Sequence, residues 1–201
     1  FVKQEPHKAE KLTKEKYRLI SAVSLIDTMI DRILGRSFME GFVDNALDIP
    51  SAVGWDPVRG GHRHLRSRFP KGVKYLTADK SSWDWTVQKW MITASFEVIN
   101  DLSYTEDKSL YKRWYDLLWK RVEILFNRPF FKFQDGTVVQ QRLPGIMKSG
   151  CYWTISVNTL CQSLLHRAAG GVGDLIALGD DTLQEVELDI PAYLERLMDF
   201  G

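Results

Sequence analysis

Three aspartates have the residue types and spacing that metal-dependent catalysis uses. Asp79 follows a short apolar run, and Asp180 and Asp181 follow Gly179 between two other short apolar runs. Adjacent carboxylates repel one another and are stabilised by a cation, and hard oxygen ligands favour Mg²⁺ or Mn²⁺ over zinc. Three carboxylates at neighbouring strand ends suit the two metal ions of in-line phosphoryl transfer. Ordinary turns account for the same residues without a metal, with Asp79 as one turn residue and Gly179-Asp180-Asp181 as a second turn.

A second group of polar residues has the chemistry to bind a sugar hydroxyl. Its members are Asp84, Ser149, Gly150, Thr154 and Asn158. Gly150 gives the chain conformational freedom just before a predicted helix, and Thr154 and Asn158, four apart, share one face of that helix. The alternative is purely structural, with Asp84 and Ser149 as helix N-caps and the remaining residues as a polar helix face.

Composition and charge set the class of protein. The chain has 201 residues, of which 44% are hydrophobic and 26% charged, so it has enough apolar mass for one core and is not disordered. No apolar run approaches the roughly 18 residues of a membrane span. The only two cysteines, Cys151 and Cys161, indicate a reducing compartment. The chain has two basic segments, 1–18 and 59–74, and an acidic one, 174–201. This arrangement would suit a protein that holds a polyanion and cations, although solvated surfaces cluster charge as well.

Periodicity and turn chemistry predict a mixture of helices and hairpins, and therefore an α+β fold. Helices are expected over 21–34, 86–101, 107–125, 152–169 and 192–200, and strands over 73–78, 130–133, 137–140, 175–178 and 182–186. Gly35 is interpreted as the C-terminal stop of the first helix. The Gly/Pro-rich stretch 39–72 is interpreted as a long functional loop.

The polar residues, taken in order, resemble a known family. Asp79-x4-Asp84, Ser149-Gly150-x3-Thr154-x3-Asn158 and Gly179-Asp180-Asp181 resemble motifs A, B and C of the RNA-dependent RNA polymerases of positive-strand RNA viruses. The stretch from Phe1 to Lys8, with 16–20, resembles motif F of the same enzymes. Residues 18–24, Gly54-Trp55 and Lys148-Ser149-Gly150 are most similar to sobemovirus-like polymerases.

The resemblance implies the palm of a right-hand polymerase, an antiparallel sheet with packed helices, together with part of the fingers. Residues 1–72 would be partial fingers that include motif F, and residues 73–201 the palm core. Within the palm core the expected parts are motif A at 77–86, a fingers insertion at about 103–142, motif B at 144–165 and motif C at 175–186. The thumb, motif E and the motif D lysine would lie outside this chain, which is expected to be a segment of a larger polymerase.

The resemblance also implies roles for individual residues in nucleotidyl transfer from NTPs to the 3′-hydroxyl of RNA. Asp79, Asp180 and Asp181 would be catalytic and would bind Mg²⁺ or Mn²⁺. Selection of the ribose and the NTP would fall to Asp84, Ser149, Gly150, Thr154 and Asn158, and binding of the NTP phosphates to Lys3, Lys16 and Arg18.

The implied partners are an RNA template and product strand, NTPs and other viral replication proteins, in the host cell cytoplasm and without an intrinsic membrane span. Two other functions remain open. A reverse transcriptase shares the palm and its aspartates, but its residue at the position of Asp84 is typically a bulky aromatic that excludes the 2′-hydroxyl. A non-catalytic RNA-binding fragment would explain the basic segments, but not three carboxylates.

Overall fold

A computed structural model describes residues 2–3, 6, 9–14, 19–186 and 189–200. The described helices are α1 (Ala9–Thr13), α2 (Leu25–Asp44), α3 (His62–Arg68), α4 (Trp83–Thr86), α5 (Lys89–Asp101), α6 (Lys108–Val122), α7 (Thr154–Ala168) and α8 (Ile190–Met198). An irregular helical turn, Pro57–Gly61, precedes α3, and a wider turn, Glu123–Asn127, continues α6.

Two antiparallel sheets accompany the helices, which confirms the predicted α+β class. Strands β1 (Tyr75–Ala78), β4 (Leu175–Leu178) and β5 (Asp181–Glu185) form a three-stranded sheet in the order β1-β5-β4. Strands β2 (Phe130–Lys132) and β3 (Val138–Gln140) form a separate hairpin. Both hairpins lie where the turn signals predicted them.

The main core lies between α5, α6 and α7. Phe96 of α5 is fully buried and packs against the ring of Trp153, with ring centroids 5.2 Å apart, and against that of Phe126. Helix α7 also packs on β4, so one helix joins this core to the three-stranded sheet. Cys151 and Cys161 are both buried and unbridged.

The interpretation of Gly35 as a helix stop is wrong, because α2 continues through it to Asp44. A Cβ at Gly35 would lie 2.3 Å from Cη2 of Trp153. Glycine is therefore present because the indole packs directly on the helix backbone, and the helix extends about ten residues further than predicted.

Residues 39–72 are not the single long loop that their composition suggested. The end of α2 and all of α3 fall within this stretch, and Leu47 and Phe69 form a small apolar cluster with Ile176 of β4. Arg68 fixes the segment by binding both carboxylate oxygens of Asp174 at 2.6 Å and the carbonyl oxygens of residues 47 and 49. The Arg68 guanidinium lowers the pKa of Asp174.

A buried ion pair connects α2 to α6. Arg121 donates to the fully buried carboxylate of Asp31 at 2.7 Å and to Asp27 at the start of α2. Breaking such a pair leaves an uncompensated buried charge, so it fixes the relative position of the two helices. Within the part of the chain that the structure describes, none of the helices combines the length and apolarity needed to cross a bilayer.

Candidate active site

The three-stranded sheet brings the predicted aspartates to one of its ends. In the ladder of β1 and β5, Ala78 pairs with Thr182, so the next position in the same register sets Asp79 opposite Asp181. Leu178 pairs with Asp181 and closes the second hairpin, which leaves Gly179 and Asp180 in the turn. All three carboxylates belong to exposed residues, so water and diffusible cations can reach them.

The chemistry of these donors fits a hard divalent cation. Mg²⁺ keeps several of its waters and is usually bound by one or two carboxylates together with substrate phosphates, rather than by an all-protein cage. Across 19–186 and the shorter described stretches, no three His, Cys, Asp or Glu side chains are gathered closely enough to hold an ion as they stand.

Lys80 lies beside the carboxylates and was not identified from the sequence. Burial lowers its pKa, an effect that the nearby charges of Asp180, Asp79 and Asp181 oppose. Its ammonium is 5.9 Å from the centroid of the Trp83 ring. The only sequence signal for this residue is its position immediately after Asp79.

Asp84 and Ser149, 65 positions apart in the chain, are in direct contact. The Ser149 hydroxyl donates to the carboxylate of Asp84, and the backbone N–H of Met147 donates to the Asp84 carbonyl at 2.7 Å. Neither side chain caps a helix, since Ser82 precedes α4 and Trp153 precedes α7. The loop before α7 therefore lies along the segment that follows β1.

Asn158 and Thr154 lie on α7 but have different surroundings. Asn158 is 4% exposed, and its amide oxygen accepts a hydrogen bond of 2.9 Å from Nε1 of Trp83. Because an indole N–H is only a donor, this contact orients the amide and leaves its NH₂ group as the donor for a ligand. The Thr154 hydroxyl lies 2.9 Å from the carbonyl oxygens of Lys148 and Cys151, so it orders the loop.

Gly150 allows another part of the chain to approach this loop. Its φ is +117°, and a Cβ there would lie 2.6 Å from the carbonyl oxygen of Ser21. The N–H of Ser21 donates to the Ser149 carbonyl at 2.8 Å. The segment before α2 is thus bonded directly to the loop that presents Ser149.

Lys148, adjacent to Ser149, is a second residue that sequence reasoning did not single out for a role. Only 4% of it is exposed, and burial lowers the pKa of its ammonium to about 8. The ammonium donates to the carbonyl oxygens of Gly145 and Ile146, at 3.0 and 2.6 Å, and lies over the Phe126 ring. Lys148 therefore stabilises this loop from its buried side by bonding backbone carbonyls of the loop itself.

The basic residues are described only in part. Lys3 is half-buried in the stretch that a β-bridge between Val2 and Leu19 joins to the rest of the chain, whereas Lys16 and Arg18 lie outside the described residues. In the segment 59–74, Arg68 serves the internal contacts given above. His62 and His64 contact the carbonyl of Pro57 and the carboxylate of Asp48.

Comparison with known proteins identifies relatives along nearly the whole chain. The family model described as viral RNA-dependent RNA polymerase matches residues 1–197. The replicase polyprotein P2AB of Southern bean mosaic virus is 33% identical over 92% of this chain, and protein P1-P2 of Pea enation mosaic virus-1 is 32% identical over 96% of it. The chain spans only 19% and 17% of the lengths of these two relatives.

A solved structure has the same fold. The RNA-dependent RNA polymerase of a human picobirnavirus, crystallised as an insertion-loop deletion mutant, superposes with a TM-score of 0.68 at 18% identity. The match covers 92% of this chain and 35% of the other. The predicted polymerase fold is confirmed, and the sobemovirus relatives confirm the resemblance seen in the motifs.

Proposed function

Because this chain belongs to the viral RNA-dependent RNA polymerase family, we propose that it carries the catalytic centre of an RNA-directed RNA polymerase. The reaction is template-directed transfer of nucleotides from NTPs to the 3′-hydroxyl of an RNA strand, in replication and transcription of a viral genome. The observation that carries this proposal is the register of the sheet, which sets Asp79 opposite Asp181 with Asp180 in the adjoining turn.

The carboxylates at this end of the sheet hold the divalent cations. Asp79 and Asp180 are the principal ligands for Mg²⁺ or Mn²⁺, and Asp181 assists them. Cations held there would supply Lewis acidity toward the attacking 3′-hydroxyl and positive charge beside the triphosphate. The protein's own contribution is to hold the carboxylates at one end of a packed sheet, which limits the rearrangement that binding requires.

The pair of Asp84 and Ser149 recognises the ribose. A carboxylate bonded to a hydroxyl can accept from the 2′-hydroxyl of an incoming nucleotide, and the NH₂ group of Asn158 is a donor on the neighbouring helix. Thr154 and Gly150 act indirectly, by shaping the loop that carries Ser149. A site built to bond a hydroxyl discriminates strongly against ligands that lack it, which favours ribonucleotides and argues against a reverse transcriptase.

The remaining assignments follow the same proposal. Lys3, Lys16 and Arg18 bind the NTP phosphates, residues 1–72 belong to the fingers and residues 73–201 to the palm. The partners are the RNA template and product strand, NTPs and other viral replication proteins, in the host cell cytoplasm.

Primer extension by a polymerase that carries this chain tests the proposal. Asp180→Asn is expected to slow single-nucleotide incorporation by about 10³-fold, since a lost metal ligand removes several kcal/mol of charge stabilisation. Glu195→Gln neutralises an exposed acid in the same acidic segment and should stay within about twofold of the parent. Incorporation by Asp180→Asn at the parent rate would refute the assignment, and RNA binding without incorporation by the parent would favour a non-catalytic fragment.

A further inference from the structure

The turn between β4 and β5 is held by a residue outside it. Gly179, with φ of +67°, is buried, and its backbone N–H donates to the hydroxyl of Thr159 on α7 at 3.0 Å. Thr159 is itself 1% exposed. A buried N–H that lost this acceptor would have no water to replace it, so the contact constrains where the turn can lie.

The N–H of Gly179 can only donate, and a second contact of the Thr159 hydroxyl leaves the hydroxyl oxygen in the matching role of acceptor. Thr159 donates its single hydroxyl proton to the carbonyl oxygen of Ile155, one turn earlier in α7, at 2.8 Å. The hydroxyl oxygen then has only its lone pairs available, and these accept the hydrogen bond from the Gly179 N–H. Bonding back to the preceding turn also fixes the side-chain rotamer, so the acceptor is oriented before the turn packs against it.

Thr159 follows Asn158, whose amide oxygen accepts from Trp83, the residue before Asp84. Two consecutive residues of one helix therefore bond two separate parts of the site: the segment after β1 at 2.9 Å and the Gly179 turn at 3.0 Å. The relative position of these two parts is set by α7 as well as by the sheet ladder.

We propose that Thr159 is a positioning residue, whose hydroxyl holds the Gly179-Asp180-Asp181 turn against α7 and thereby sets its affinity for divalent cations. The inference rests on the proposed function, because it assumes that these carboxylates bind the cations. Adjacent carboxylates repel one another until a cation neutralises them, so a turn released from α7 relaxes to separate them. Cation binding must then restore the compact arrangement, and affinity falls.

Mn²⁺ titration followed by electron paramagnetic resonance, without nucleotide or RNA, tests this in a polymerase that carries the chain. Thr159→Val keeps the shape but removes the acceptor, and should raise the dissociation constant for Mn²⁺ by about 5–10-fold. Thr159→Ser keeps the hydroxyl and should restore affinity to within about twofold. Ser163→Ala removes a hydroxyl one turn further along α7. It is the matched control for the loss of a hydroxyl from this helix that does not contact the Gly179 turn.

The outcomes separate this inference from the function beneath it. Parent-like Mn²⁺ affinity in folded Thr159→Val, with affinity lost in Asp180→Asn, overturns the role of Thr159 and leaves the catalytic assignment standing. Mn²⁺ binding that is insensitive to Asp180→Asn overturns both. If Thr159→Val does not fold, amide hydrogen exchange in the parent decides: strong protection of the Gly179 N–H supports the contact, and fast exchange overturns it.

Discussion

Replacing Gly35 by alanine is expected to lower the free energy of unfolding, even though alanine is the better helix former by about 1 kcal/mol. The new methyl group would lie 2.3 and 2.6 Å from two ring carbons of Trp153, where ordinary contacts are 3.4 Å or longer. That indole is fully buried and packs against Phe96 and Tyr152, so it cannot move away freely. Overpacking of this kind costs about 1–3 kcal/mol and more where relief is blocked.

The same helix offers a matched control. A Cβ at Gly41 meets nothing within 4 Å, so Gly41→Ala should stabilise the protein by about 0.5–1 kcal/mol through helix propensity alone. Urea unfolding followed by far-ultraviolet circular dichroism should place the two variants on opposite sides of the parent, with Gly35→Ala about 1–3 kcal/mol below it. Equal stability of the two variants would refute the packing of Trp153 on the backbone of α2, and destabilisation by Gly41→Ala would refute the continuous helix.

Two further predictions concern the loop before α7. Ser149→Ala and Asp84→Ala should each reduce the preference for rNTP over dNTP by about 10–100-fold, which is the value of one hydrogen bond to a charged group. RNA binding should stay within about twofold of the parent. Single-nucleotide incorporation measures the preference, and an unchanged preference in both variants contradicts the ribose assignment. Lys148→Met should lose stability relative to the parent as pH rises above about 8, because the folded parent releases its Lys148 proton near that pH whereas the unfolded chain retains it to about 10.5. The free energy of unfolding of the parent minus that of the variant should grow by up to about 1.4 kcal/mol per pH unit. Urea unfolding from about pH 7.5 to 9.5 measures both values, and parallel plots of the two against pH would show that Lys148 keeps its ordinary pKa.

Much of the candidate site could be predicted from the sequence because its signals are local. Asp79 follows a β-prone run, and Gly179-Asp180-Asp181 sits between two more, so strand ends and turns were visible without tertiary information. The pairing of β1 with β5 is not local, and the only pointer to it before the structure is the antiparallel sheet that the polymerase resemblance implies. The order of strands within the sheet required the structure.

The errors and omissions have tertiary causes. Gly35 was interpreted by the local rule that glycine ends helices, whereas the reason for it is the Trp153 ring far along the chain. Lys148 belongs to the resemblance at Lys148-Ser149-Gly150 but carries no role there, and Thr159 belongs to no predicted site. Only their contacts with backbone groups reveal what they do. Their one sequence signal is adjacency, since each stands next to a residue of the motif that includes Ser149 and Asn158.

The pairing of β1 with β5 has a consequence for how the protein folds. The β4–β5 hairpin closes over a two-residue turn and can form early, whereas Tyr75 can meet Glu185 only after all the intervening chain has been synthesised. Contacts so distant in sequence carry a large loop-closure entropy and form slowly. Asp79 is therefore expected to reach Asp180 and Asp181 late in folding, and on a ribosome the acidic centre cannot assemble until β5 has emerged. The time at which cation binding that depends on Asp79 appears during refolding would consequently report when β1 pairs with β5.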